Sequence, residues 1–432
     1  MTAAHICFDS ESRAVLVGRE GGSGGGYVGR VAENCKGKTV FDSPVWLNTG
    51  FPNVIGIFGM RGTGKSFNLG VFAECLAGMP QVSAGDTLLP AIVIFDVQNQ
   101  FWTLSLAPSA EHDKKHLDML ARWKLSPEAV PNIQCWTPAG AASHVLNARE
   151  YKIAPEQLAE SDWLALLEQE RYSPCGQALL SLLRNCKDRS PSTLLAIART
   201  GGVLSDFQSS TIDALRWRLE SIVNAKIIGS PGIDARSFLA PGKLSVVLLR
   251  GLPESMRALT AAILTRILSA RMTDFHQQEK MAKRGIGKGS GENLPRRLWI
   301  MMDEAHVIAP REGRTSANEP MIDYVKRGRD SGLSLIFATQ QPSAVDDKLM
   351  SQVDMTFTHA LGTEADVQAA VARMPTSKPS GYKCGGESLN TPGDLIRSLK
   401  PGEAVLADAA TQRPFIVIMR PRLSVHGGDT PD

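Results

Sequence analysis

The 432-residue chain has no run of about eighteen apolar residues free of charge, no CxxC pair and no large excess of charge of either sign. The first absence excludes a membrane-spanning helix. The opening MTAAHICFDSESR also lacks the basic-then-apolar order of a secretory signal, so the expectation is a soluble, cytoplasmic protein without membrane contact. Seven cysteines, at 7, 35, 75, 135, 175, 186 and 384, are odd in number and too scattered for a zinc ribbon or a full disulfide framework. A reducing compartment fits them. With a net charge of only +3, any grip on nucleic acid has to come from a local patch rather than a general basic field. A hydrophobic content of 43% is enough to bury one large core or two moderate ones.

Within 1–45, AVLVGRE and YVGRV flank the run GGSGGG, which reads as a small β module with a loose hairpin tip. A GxGxxG match at Gly24, Gly26 and Gly29 precedes a polar segment instead of opening a helix, so a dinucleotide site is a weak reading. Residues 46–102 change to strand, glycine loop, helix and strand (VIGIF, SFNLGVFAECLAG, AIVIFDV), the start of an α/β domain. Residues 103–230 carry helical spacing with little strand signal and read as a mostly helical insertion. Residues 231–432 return to strands, KLSVVLLRGL, RLWIMMDEA, GLSLIFATQ and DMTFTHAL, completing a second part of the core with a C-terminal tail. A long amphipathic helix from Ser255 to Phe275 leads into QQEKMAKRGIGKGSGEN, which lacks periodicity and reads as a loop.

Gly59-Met-Arg61-Gly62-Thr63-Gly64-Lys65-Ser66 satisfies GxxxxGK[ST] between an apolar strand and a helix start. Glycines there let backbone N–H groups close on phosphate oxygens, Lys65 reaches the β and γ phosphates, and Ser66 offers a magnesium ligand. Phe67 continues the nucleotide-binding stretch. ATP and Mg2+ are the ligands this motif calls for. A second acidic element is needed at a neighbouring strand end, and Asp303-Glu304 after LWIMM supplies it: Asp303 for the metal, Glu304 for the attacking water. The string DEAH at 303–306 invites comparison with DEAH-box helicases, yet more than two hundred residues separate the two motifs here and ATQQP stands where that family has SAT. Gln340 closes the next strand, placed to sense the γ phosphate. Arg327 and Arg329, in KRGRDSG, read either as helix-end cations or as an arginine finger given to a neighbouring subunit.

Together GMRGTGKS, Asp96 in VIFDVQNQFW, LWIMMDEAH, KRGRDSGLSLIFATQQPS and RPRLSVHGG resemble the HerA/FtsK group of ring ATPases, and HerA most closely. The resemblance implies a RecA-like P-loop core, a homo-hexameric ring with ATP between subunits, and double-stranded DNA in the central channel. It also implies Asp96 as an acidic member of the site and a partner, a NurA-like nuclease or an effector of anti-phage defence. Where HerA proteins often carry a histidine, glycine and glutamate after the second strand, this chain has Val97-Gln-Asn-Gln. Candidate DNA contacts are Lys280, Lys283, Arg284 and Lys288, with Arg311 and Arg314 beyond the acidic pair. The competing expectation is an ATP-dependent ring scaffold that gathers an effector without obligatory DNA movement; a P-loop kinase is a poor third.

Overall fold

Strands buried on both faces should be continuous apolar runs, and several segments of this sequence meet that condition. A computed structural model describes residues 7–9, 14–18, 24–32, 42–85, 88–141, 145, 147–374, 382–384, 387–389, 391–408 and 414–428. Val54–Phe58, Ala91–Asp96, Leu298–Met302 and Leu333–Thr339 are buried at every position. They lie side by side as parallel strands, extended by Met355–Thr358 at one edge and by Leu244–Leu248 and Ile133–Pro138 at the other. All seven carboxyl ends therefore reach the same edge of the sheet, where open α/β folds bind ligands. The Leu333–Thr339 strand sits between the P-loop strand Val54–Phe58 and the Asp303 strand Leu298–Met302. That order brings Lys65, Gln340 and Asp303 to adjacent strand ends.

Beyond Met355–Thr358 the sheet turns antiparallel through Glu403–Asp408 and Pro414–Met419, then meets Gly25–Val31 and Pro44–Asn48. The N-terminal strands are thus hydrogen-bonded into one sheet of 15 strands with the core. Gly21, Gly22 and Ser23 of the expected hairpin tip lie outside the described residues.

Between 103 and 230 the helices Pro174–Asn185 and Pro191–Thr200 start as their sequences dictate. Ser173 and Ser190 accept hydrogen bonds from Gly176 N and Thr193 N, and a proline follows each cap at a position that needs no N–H. Two elements differ from the sequence reading. Ile133–Pro138 is a core strand inside the supposedly helical stretch, defined by its pairing with Leu244–Leu248 more than a hundred residues away. The helix Glu254–Lys283 runs eight residues past Phe275, because HQQEKMAK consists largely of strong helix formers that bury no face. Lys280 and Lys283 are therefore helical, and only Arg284 and Lys288 follow the helix.

Residues 420–424 bind the P-loop helix Lys65–Leu76 from behind. Arg420 pairs with Glu74 at 2.7 Å and donates to the carbonyls of Tyr27 (2.7 Å) and Val71 (3.1 Å), while Ser424 gives Glu74 both its N–H (2.9 Å) and its hydroxyl (2.7 Å). Arg422 completes the knot through Ser424 Oγ at 3.1 Å. All four side chains are fully buried, so each charge depends on these partners. A Cβ on Gly70 would stand 2.6 Å from the Arg422 guanidinium, which is why the helix has glycine there.

Candidate functional site: a P-loop with an acidic pair

The loop after Val54–Phe58 turns on Gly62 (φ 80°) and Gly64 (φ 110°), backbone angles in which a β-carbon is strained. Gly59 answers a different need: a Cβ there would meet Thr63 Oγ1 at 2.6 Å and His359 Cβ at 2.7 Å. His359 is fully buried between Asn68, whose amide donates to its Nε2 (2.8 Å), and the Glu403 carbonyl, which accepts from Nδ1 (2.7 Å). Burial lowers its pKa to about 4, so it braces the helix start as a neutral ring. Lys65 lies folded into the loop, its Nζ donating to the Met60 carbonyl at 3.0 Å. Burial draws its pKa down, and the charges of Glu304 and Asp303 oppose that shift. Arg61 is exposed at the loop tip, and Phe67 stands edge-on to His426 with ring centroids 5.4 Å apart.

Asp303 is fully buried and takes the Ser66 hydroxyl on its two oxygens at 3.4 and 3.2 Å. Glu304 follows with φ 51° and ψ 55°, a left-handed backbone that is costly for a glutamate and is characteristic of functional positions. Its Oε1 accepts from Gln98 Nε2 at 2.8 Å and from Gln340 Nε2. Its Oε2 accepts no hydrogen bond among the described residues and lies 3.5 Å from His306 Nδ1. A nearly buried carboxylate with one free oxygen is thus held between two amides at the end of the Lys65 cleft. That cleft, of about 930 Å³, runs from Glu304 and Gln340 past residues 61–68 to Trp123, Ile418 and His426.

Residues 42–267 match the family model described as the central domain of helicase HerA. The chain belongs to that HerA family. With the family comes the P-loop ATPase class. Curated relatives named DNA double-strand break repair helicase HerA are 27% identical over 177 residues in Sulfolobus acidocaldarius and 25% over 216 residues in Saccharolobus solfataricus. The matched stretches cover 41% and 49% of this chain but only 31% and 39% of those relatives, so it spans well under half of their length. Among solved structures it is similar to the bacterial conjugative coupling protein TrwB (14% identity, 94% of each chain, TM-score 0.52). VirB4 of Thermoanaerobacter pseudethanolicus is comparable (14% identity, 91% and 96% of the two chains, TM-score 0.51). At such identity these likenesses speak for the fold alone.

One residue of this HerA-family site differs from the sequence reading, and one more joins the site without a sequence signal of its own. Asp96, expected as a catalytic acid, is fully buried and gives both oxygens to its own turn, accepting from Gln100 N (3.1 Å) and Phe101 N (2.9 Å). It positions the 97–101 turn, and that turn delivers Gln98 to Glu304. Nothing in the sequence marks Gln98 except its place two residues beyond a strand-end aspartate. Arg327 and Arg329 are exposed at the amino end of Leu333–Thr339, on the opposite edge from Gln340. Seven extended residues span roughly 20 Å, so neither arginine joins the P-loop of its own chain.

The proposed DNA contacts divide between the two edges. Arg311 pairs with Asp347 (3.2 Å), and Arg314 with Glu319 (3.0 Å) and Asp346 (3.6 Å). Lys280 Nζ donates to the Asp330 carbonyl at 3.2 Å, on the Arg329 edge, where Lys283, Arg284 and Lys288 are exposed. No helix of the described residues is long and apolar enough to cross a membrane.

Magnesium fits the pair Ser66 and Asp303: one hydroxyl and one carboxylate, leaving the remaining positions to phosphate oxygens and water, as this ion prefers. Burial first, then the charges of Glu304 and Asp96, push Asp303 up to about 7; burial pushes Asp96 up to about 6. Both carboxyls retain protons in the folded chain at pH values where the unfolded chain has released them. Their stabilisation is complete below about pH 4, the ordinary carboxylate range, and is lost as pH rises through 6 and 7. The melting temperature of the nucleotide-free protein is therefore expected to fall between pH 5 and pH 8, with a flatter profile in Asp303→Asn. Identical profiles in the two proteins, read by differential scanning fluorimetry, would remove Asp303 as the cause.

Proposed function

We propose that this chain is the ATP-hydrolysing unit of a homo-hexameric ring that moves double-stranded DNA, cytoplasmic and partnered by a nuclease or another effector in DNA processing or anti-phage defence. One observation carries the reading: Lys65, Ser66, Asp303, Glu304 and Gln340 meet at one sheet edge while exposed Arg329 lies at the other, which supports a site completed by the arginine of a neighbouring protomer. ATP enters the cleft with its phosphates on the amides of residues 62–66 and its γ phosphate toward Glu304 and Gln340. A water held by the free Oε2 of Glu304 attacks the γ phosphorus as the bond to the bridging β–γ oxygen breaks, and its proton passes to the carboxylate. ADP and phosphate leave. Ser66 and Asp303 would hold Mg2+, which would supply positive charge to the phosphate oxygens. Gln98 and Gln340 keep Glu304 on the reaction axis.

Double-stranded DNA as the track is supported by the HerA relatives' repair-helicase names and by the exposed basic group at Lys283, Arg284 and Lys288. A scaffold ring without obligatory DNA movement is the second reading, favoured by the carboxylates that already occupy Arg311 and Arg314. Turnover measured with and without long duplex DNA separates them. The motor reading expects stimulation that declines steeply as salt rises from 50 to 200 mM, in the range of ten- to a thousandfold if about three to five phosphates are contacted. DNA-independent turnover, or turnover elicited only by an added partner protein, would put the scaffold in its place.

A further inference from the structure

Gln98, Glu304 and Gln340 line two cavities at once. One is the P-loop cleft; the other, of about 550 Å³, lies on their far side and is completed by Val97, Arg250, Arg257, His306, Val307 and Gln341. Neither arginine stood out in the sequence, since no motif surrounds them. Arg250 follows the Leu244–Leu248 strand and Arg257 occupies the first turn of Glu254–Lys283, whose amino terminus adds positive potential. Arg257 is fixed by donating Nε to the Leu252 carbonyl (2.8 Å) and Nη2 to the Arg250 carbonyl (3.2 Å). Neither guanidinium is paired with a carboxylate among the described residues, unlike Arg311 and Arg314 nearby on the same edge.

We propose that this second cavity is a receiving chamber for the inorganic phosphate cut from ATP, with Arg250 and Arg257 as its anion ligands and the Gln98–Glu304–Gln340 hydrogen bonds as the partition. The inference rests on hydrolysis at the P-loop. While ADP fills the cleft, the freed phosphate has the nucleotide on one side and the partition on the other. The partition is two amide hydrogen bonds to one carboxylate oxygen, contacts that side-chain rotation can open. Two unneutralised guanidiniums beyond it offer the charge and fork geometry that phosphate oxygens prefer.

The test uses the full chain saturated with ADP, inorganic phosphate as the probe, and the variants Arg250→Ala and Arg250→Glu. ADP affinity in each variant reports that the P-loop is intact. Phosphate binding to the ADP complex is expected to weaken about tenfold in Arg250→Ala. In single turnovers, quench-flow follows cleavage and a fluorescent phosphate sensor follows release. Arg250→Glu is expected to cleave at a rate within twofold of the unmodified protein while release lags at least fivefold. Release that keeps pace with cleavage in Arg250→Glu, or unchanged phosphate affinity in Arg250→Ala, overturns the chamber. Absence of cleavage in the unmodified protein would instead defeat the hydrolysis reading beneath it.

Discussion

Glu304→Gln is expected to bind ATP with near-normal affinity and to turn it over about a hundred- to ten-thousandfold more slowly, the usual range for loss of a positioned general base. Glutamine matches glutamate in shape and can still accept from Gln98 and Gln340 through its amide oxygen. What it loses is the second, unengaged carboxylate oxygen and the ability to take a proton. Near-normal binding is expected because Lys65, the loop amides and Ser66 are untouched. Equilibrium binding of labelled ATP and steady-state phosphate production, measured side by side, check both halves. Turnover within fivefold of the unmodified protein would mean that another group activates the water. His306 would then be the nearest alternative, since its ring is 3.5 Å from Glu304 and donates to or accepts from Thr339 Oγ1 at 3.0 Å.

Arg329→Ala should also retain ATP while losing about three orders of magnitude in rate, the scale reported for arginines supplied across an interface. Arg329 cannot reach the nucleotide of its own chain, because the whole length of Leu333–Thr339 intervenes, yet it is exposed without an ion pair among the described residues. Mixing tells cis from trans. Lys65→Ala subunits have a defective P-loop and intact arginines, whereas Arg329→Ala subunits have the reverse. Combined in one ring, some interfaces join an intact P-loop to an intact arginine, so activity should return to a mixture of two inactive proteins. If rings form from the mixture and turnover stays at background, the finger is not Arg329; the same experiment with Arg327→Ala then decides for its neighbour.

The parts of this molecule that could be read from sequence are those whose chemistry is local in the chain. Gly59 to Ser66 is one loop, and its glycines, lysine and serine must be contiguous to wrap a phosphate. Asp303 and Glu304 follow a buried strand without interruption, and Gln340 ends the strand beside it. Features set by distant neighbours were not legible. Ile133–Pro138 carries too few β-branched residues to declare itself and becomes a strand by adding to Leu244–Leu248. The resemblance to HerA points to Asp96 as an acid of the site, and only its hydrogen bonds to Gln100 and Phe101 reveal that it serves the turn. Gln98, Arg250 and Arg257 belong to the same corner of the structure yet share no pattern. The end of the Glu254–Lys283 helix is hidden for the opposite reason, since helix propensity persists after amphipathicity has faded.

The knot of Glu74 with Arg420, Arg422 and Ser424 bears on the order in which the molecule can be built. Glu74 leaves the ribosome 346 residues ahead of Arg420, an interval on the order of tens of seconds of synthesis. Throughout that time the carboxylate has no cation to enter the interior with, and burying it alone would cost several kcal/mol. The nascent P-loop helix must therefore wait, loosely docked or hydrated, until residues 420–424 arrive to neutralise it. Competence to grip a nucleotide is then acquired only after residues 420–424 are made, long after the residues that touch the phosphates.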